Sequence, residues 1–328
     1  MKPSLNRRQL LIGTAAAAAA GGLGATAATG PAVAAPAGFP TYRYLGTPFT
    51  KSALQYNPTN ELIFPCIRGV YDKITGPLGR YYLYYAPHNA PGGICLAYGN
   101  SLSGQFTEYP NNPIVSNVWS PYYSVSHVSS PFVLWNATTK QFFLYYHGEN
   151  TTTRMAYSTD GVHWKYWGTV LSTADIPGST ETSYARVFEH TVTGLNNRYV
   201  MVFMGVTNGT RKIFWGWSPD AKNWQFDPIP LVTPGPDGQT DLSGAALLKR
   251  DNTAYIVYHG NGGDMFLTEV GPGFDKEIHL GVFHYALAGA PDSGRSAAPS
   301  FGTDGGVEYM FYEAGQRLSA TIAVARAG

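Results

Sequence analysis

Acids, imidazoles and a guanidinium recur at matched places along this chain of 328 residues. Five short segments have their fifth residue at positions 65, 131, 186, 245 and 299, and open on Glu61, His127, Thr182, Asp241 and Arg295. A second line, just after the Tyr- and Phe-rich run of each segment, holds Ala86, His147, Met204, His259 and Glu313. Glu149, Tyr184 and Arg186 are near neighbours of these lines. Two carboxyl groups in one site serve as general acid and base; imidazoles exchange protons near neutrality. A guanidinium holds an anion or lowers the pKa of a nearby acid. A lone His at a strand end is ordinarily a turn residue, and Asp or Glu there often binds backbone amides. Convergence in space is what would turn these residues into a site.

The elements that must position them form a repeat. Each unit carries three or four short runs rich in Tyr, Phe, Val and Ile, bounded by Gly, Pro, Asn and Asp, which is strand and turn chemistry. No segment has a 3.6-residue apolar period. Five such units predict an all-β fold, a five-bladed β-propeller occupying residues 36–328. The fifth unit ends at Gly328 after its third strand, and Thr41–Phe49 has no unit of its own. That segment is expected to pair with Leu318–Val324 as the outer strand of the last blade and so close the ring, protecting an open edge.

In a propeller, first-strand starts and second-strand ends meet on one face. Glu61, His127, His147, Asp241, His259, Arg295 and Glu313 are therefore expected to line one cup, with Glu149, Tyr184 and Arg186 close by. The preferred catalytic carboxylates are Glu61 and Asp241, which share the axial line. The Tyr runs at 81–85 and 145–146 read as blade-to-blade core. Trp119, Tyr122 and Tyr123 read as aromatics at the rim. The recurring segments Ser158–Trp164 and Ser218–Trp224 read as turns into the fourth strand, each Trp filling the gap between blades.

Residues 1–35 read as an export signal. Arg7 and Arg8 precede Gln9-Leu10-Leu11, a weakly apolar Ala/Gly run follows, and Ala32-Val33-Ala34 offers a cleavage site. This predicts a twin-arginine-type signal and a secreted or periplasmic protein with no membrane anchorage after processing. Overall charge is +1; Lys2, Arg7 and Arg8 lie in a stretch without acids, leaving 19 cations against 21 acids beyond it. Such a balance gives no footprint for nucleic acid. Aromatic content of 14% and charge of only 13% exclude a disordered chain. Cys66 and Cys95 fall on strands separated by a third, beyond disulfide reach, and are expected as buried thiols. The chain lacks His-Glu-x-x-His, paired Cys-x-x-Cys, phosphate-loop and Gly-x-Ser-x-Gly patterns. No cofactor is called for; a structural cation on the propeller axis, near His259 or Asp241, is left open. A monomer is expected.

The repeat, the signal, the Tyr-rich second strands and the phrase Arg154–Trp164 together resemble five-bladed propeller glycoside hydrolases of the family 43 and family 32-like clan. The resemblance implies a carbohydrate ligand. In family 43, three acids stand near first-strand prolines of blades one to three. Here Phe64 precedes Pro65, Phe132 follows Pro131, and the third blade offers Tyr184-Ala185-Arg186 and then Glu189. No catalytic residue of that family is therefore carried over. The leading expectation is a glycoside hydrolase using Glu61 and Asp241, with the histidines on sugar hydroxyls and Arg186 or Arg295 on a carboxylate or an acid. The alternatives are a polysaccharide lyase with a His or Tyr base and an arginine on the uronate, and a non-catalytic sugar-binding propeller.

Overall fold

A computed structural model describes residues 35–328; the signal expected at the N-terminus lies, up to residue 34, outside the described residues. Five four-stranded antiparallel sheets follow one another around an axis. Their innermost strands are Ile63–Gly69, Val128–Asn136, Ser179–Glu189, Leu242–Arg250 and Ser296–Asp304, for blades 1 to 5. Their second strands are Tyr81–Ala86, Gln141–Gly148, Tyr199–Thr207, Thr253–Gly260 and Val307–Ala314. No helix among the described residues is long and apolar enough to cross a membrane.

The ring closes as the missing strand required. Tyr42–Gly46 pairs with the last strand, Thr321–Ala327, and completes blade 5. The register is shifted from expectation: Tyr42 faces Ala327 and Gly46 faces Val324, so pairing uses the C-terminal end of that strand. Phe49, beyond the paired stretch, packs on Tyr85 of blade 1, 5.2 Å between ring centres, in a buried cluster that also holds Phe311 and Ile322 of blade 5. The N-terminal segment thus joins the last blade to the first.

Tyrosines of the second strands bind one blade to the next. Tyr82, Tyr84, Tyr85, Tyr145 and Tyr146 are almost wholly buried. The Tyr84 hydroxyl donates to the Gly161 carbonyl at 2.8 Å, and the Tyr145 hydroxyl to that of Ala221 at 2.6 Å. Each acceptor lies in the neighbouring blade's Ser-x-Asp turn, so a buried hydroxyl is satisfied while its ring fills the wedge. Trp164 and Trp224, at the ends of those turns, stand edge-on to Tyr84 and Tyr145. Within the first turn, burial alone would raise the Asp160 carboxyl. Hydrogen bonds from His163, Val162 and Ser158 outweigh it and hold the group down at about 2. Cys66 and Cys95 are free and buried, with the strand Tyr81–Ala86 between theirs.

Every innermost strand carries a bulge at the same place. Pairing with the second strand skips between Ile63 and Cys66, Ser129 and Phe132, Ser183 and Arg186, Ser243 and Ala246, and Ala297 and Ser300. The residue after the first of each pair is left-handed: Phe64 (φ 53°), Ser130 (56°), Tyr184 (60°), Gly244 (60°) and Ala298 (47°). Four of the five bear a side chain, and the conformation costs roughly 1–3 kcal/mol at each of these. Bulges re-aim side chains and end regular pairing; here they turn five positions toward the axis.

Candidate active site

The bulges give the repeat a ruler and correct one position. Three residues before each left-handed residue stand Glu61, His127, Glu181, Asp241 and Arg295. The third-blade start is therefore Glu181, not Thr182. Alignment by sequence alone sets Arg186 against Pro65 and Pro131, whereas the bulge sets Ala185 there. Two residues after the left-handed position come Cys66, Phe132, Arg186, Ala246 and Ser300. The second line holds as expected: Ala86, His147, Met204, His259 and Glu313 face Ile63, Ser129, Ser183, Ser243 and Ala297 across the first ladder.

On blades 3 and 4, one arginine gathers two carboxylates. The Arg211 backbone N–H donates to Asp241 Oδ1 at 3.0 Å, and its guanidinium Nη2 to Glu181 Oε2 at 3.4 Å. Both acids are partly exposed. The other Glu181 oxygen accepts the Ser183 hydroxyl at 3.1 Å, and Asp241 Oδ2 that of Thr240 at 3.3 Å. Tyr184 is only 3% exposed, and Arg211 and Glu181 act on its phenol. Burial raises that phenol to about 12, so it is protonated at neutral pH.

On blades 5 and 1, the carboxylates lie beneath arginines. Glu61 is fully buried; Oε1 accepts the Leu318 amide at 2.8 Å and Arg317 Nε at 3.1 Å, while Oε2 has no partner. Glu313, also buried, accepts Arg295 Nη2 at 2.8 Å and the Phe64 amide at 3.2 Å. Burial would raise the Glu313 carboxyl, but Arg295 and the neighbouring cations outweigh it and keep it below its ordinary range. Glu61 and Asp241 share one local role: each accepts a backbone N–H from the second hairpin of the preceding blade, at Leu318 and at Arg211. A cleft of about 380 Å³ opens beside this part of the cup, lined by Lys51, Pro291, Gln316 and Ser319 among others.

Blades 1 and 2 supply a run of rings toward the axis. His88 stands 6.5 Å from His127, His127 5.7 Å from His147, and His147 5.1 Å from Tyr184. Tyr184 stacks on Phe64 at 4.6 Å, closing the floor. His147 is buried with neither ring nitrogen bonded; burial, then His127, lowers its pKa well below the ordinary value. Burial and then Arg295 bring His259 down to about 3, and its Nδ1 accepts the Ala298 amide at 3.3 Å. A Cβ on Gly244 would come within 2.8 Å of that imidazole, so only glycine lets the ring lie there. Both imidazoles are neutral at pH 7; His147 keeps a ring nitrogen without a partner, whereas the acceptor nitrogen of His259 is taken by the Ala298 amide.

Two residues expected near the cup face other partners. Glu149 is exposed and paired with Arg154 on the third strand of its own blade, at 3.2 Å. Arg186 lies beyond the Phe64–Tyr184 floor and donates to the carbonyls of Ala298 and Pro299. At the rim, Trp119, Tyr122 and Tyr123 cluster with Tyr166, Tyr122 stacking on Tyr166 at 4.7 Å. Among the described residues no three His, Cys, Asp or Glu side chains converge as metal ligands. Arg211, Arg317 and His88 carry no signal in the sequence because they sit in hairpins and loops of variable length, where the repeat offers no ruler.

Compared by sequence, the chain matches no family model and none of the curated proteins. Compared by structure, it is similar to a glycoside hydrolase, at 14% identity and TM-score 0.65 over 88% of this chain and 92% of that one. It is similar to an α-L-arabinofuranosidase from Lactobacillus brevis, at 16% identity and TM-score 0.58 over 82% and 92%. It is also similar to a β-1,2-mannobiose phosphorylase from Listeria innocua in complex with β-1,2-mannobiose, at 13% and 0.62 over 87% and 96%. The fold is thus the five-bladed propeller of the glycoside hydrolases, family 43 type included.

Proposed function

We propose that this protein is an exported glycoside hydrolase acting on an oligo- or polysaccharide, with Asp241 and Glu181 as its two carboxyl groups. The observation that carries the reading is the placement of both on Arg211, partly exposed, on adjoining blades of one cup. Glycoside hydrolysis needs one carboxyl to protonate the leaving oxygen and another to activate water or attack the sugar. Asp241 keeps the place that the repeat alone suggests for it. Glu181 takes the partner's place because Glu61 has no exposed surface and lies behind Arg317. Glu61 then serves by fixing Arg317 at the cup wall. His127 and His259 meet sugar hydroxyls, and Arg295, held by Glu313, presents its remaining N–H groups. The fold shared with an arabinofuranosidase and a mannobiose phosphorylase supports a carbohydrate substrate. The twin-arginine-like segment supports export.

One arrangement at the axis favours elimination instead. The five left-handed positions nearest the axis hold Phe64, Ser130, Tyr184, Gly244 and Ala298, none of them an acid. Beside Tyr184 stands a neutral His147, with Arg211 and Arg317 acting on the phenol. A neutral base, a phenol and arginines are the equipment of a uronate lyase. Digestion of a polysaccharide panel separates the two. New reducing ends without ultraviolet absorbance mean hydrolysis; absorbance from an unsaturated uronate means elimination.

A further inference from the structure

We infer an anion-binding site in the axial channel, on the far side of the Phe64–Tyr184 floor from the cup, built by Arg68 and Arg186 and suited to a small oxyanion. A cavity of about 270 Å³ lies there, lined by Arg68, Arg186, Glu189, Phe132, Leu248 and Pro299 among others. Both guanidinium groups bear on the same ring: Arg68 at 4.4 Å from the Phe132 centroid and Arg186 at 6.0 Å.

The charge on these groups has no direct counterpart. Arg186 is 2% exposed and donates to the carbonyls of Ala298 and Pro299. Arg68 donates to those of Val133 and Ile67. A guanidinium has five N–H groups, so each arginine retains donors without a protein acceptor. Carbonyls satisfy hydrogens, but they do not neutralise two like charges beside one ring. The carboxylates in reach are engaged elsewhere. Glu189, which itself lines the cavity, pairs with Arg198 at 2.9 Å, and Glu313, on the cup side, with Arg295 at 2.8 Å. Burial lowers Arg186 to about 10; Cys66 and Glu313 offset part of it and Arg68 adds to it, so Arg186 stays charged at neutral pH. A buried cation without a partner is costly, and an anion bound between these two groups relieves both burial and repulsion. The planar donor forks suit a phosphate or carboxylate better than a spherical halide.

The test is thermal unfolding of the whole protein in inorganic phosphate, against sodium chloride of equal ionic strength. Above saturation the midpoint should rise by about 3 °C per tenfold phosphate. Arg68→Gln should abolish the rise and Arg68→Lys, which keeps the charge but loses the fork, should weaken it. Arg317→Gln, in the cup, should leave it intact. No rise above the chloride control, a full rise in Arg68→Gln, or loss of the rise in Arg317→Gln, which would place the anion in the cup, would each overturn the assignment. If Arg68→Gln does not fold, Arg68→Lys decides: an undiminished rise refutes the site.

Discussion

The backbone N–H of Arg211 donates to Asp241 Oδ1 at 3.0 Å across the junction of blades 3 and 4. The bond fixes a carboxylate that can still reach solvent, and the same arginine reaches Glu181 with its guanidinium. Glu181→Gln and Asp241→Asn should each lower turnover by ~10² or more, the scale of general acid–base catalysis. The side-chain carbonyl in Asp241→Asn would still accept the Arg211 amide, so the unfolding midpoint should hardly move. Reducing-end assays beside a melting curve check both halves. Unchanged turnover in either variant would remove that residue from the pair.

Glu61 should behave differently. Its buried carboxylate holds the Leu318 amide and Arg317 where blade 5 meets blade 1. Glu61→Ala should cost about 1.5–3 kcal/mol in urea unfolding, the range for hydrogen bonds to a charged group. Glu61→Gln, which still accepts the amide, should cost less. Turnover per folded molecule in Glu61→Gln should stay within a few-fold of wild type. A hundredfold loss in that variant would return Glu61 to the catalytic pair.

Acid should destabilise the protein from below about pH 6.5. Burial depresses His147, His259 (to about 3) and His284, at the end of blade 4's outer strand Ile278–His284 (to about 4), from the ordinary 6.5. A group held neutral in the fold contributes stability that is complete above its unfolded pKa and is lost as pH falls toward its folded one. Each costs roughly 1.4 kcal/mol per pH unit across that window. Glu313, also depressed, adds to the loss at lower pH, below its unfolded value of 4.5. Unfolding midpoints measured from pH 7.5 to 4.5 should fall, and His147→Gln should flatten the slope. A midpoint independent of pH over this range would contradict the burial argument.

Deleting residues 36–46 should open the ring. The last blade would lose Tyr42–Gly46 and expose the strand Thr321–Ala327 as an unpaired edge. A lower unfolding midpoint and concentration-dependent aggregation in light scattering are expected. A truncated protein as stable as wild type would show that the closing strand is dispensable.

The propeller is legible in the sequence because its physics is local and repeated. Tyr-rich strands bounded by turn residues announce blades, and a fifth unit one strand short announces where the N-terminal segment must go. The Asp160 and Asp220 turns are equally legible, since Ser-x-Asp followed by Trp states its own hydrogen bonds. Glu181 is hidden by a one-residue misalignment. Prolines mark the bulge in blades 1, 2 and 5, whereas Tyr184-Ala185 in blade 3 reaches the same left-handed turn without one. Arg211 and Arg317 are hidden for another reason: hairpin length sets where they reach, and no periodicity reports it. Burial also separates Glu61 from Asp241, which look alike as strand-start acids. Glu61 is covered by Arg317, itself placed by a turn 256 residues further along the chain.

The most direct measurement is digestion of a polysaccharide panel by wild type, Glu181→Gln and Tyr184→Phe, read by reducing ends and by ultraviolet absorbance. A hydrolase with this carboxylate pair gives reducing ends without absorbance from wild type, a loss of ~10² or more in Glu181→Gln, and activity retained in Tyr184→Phe. Absorbance from an unsaturated uronate, abolished in Tyr184→Phe and untouched in Glu181→Gln, would contradict that assignment and make this cup a lyase.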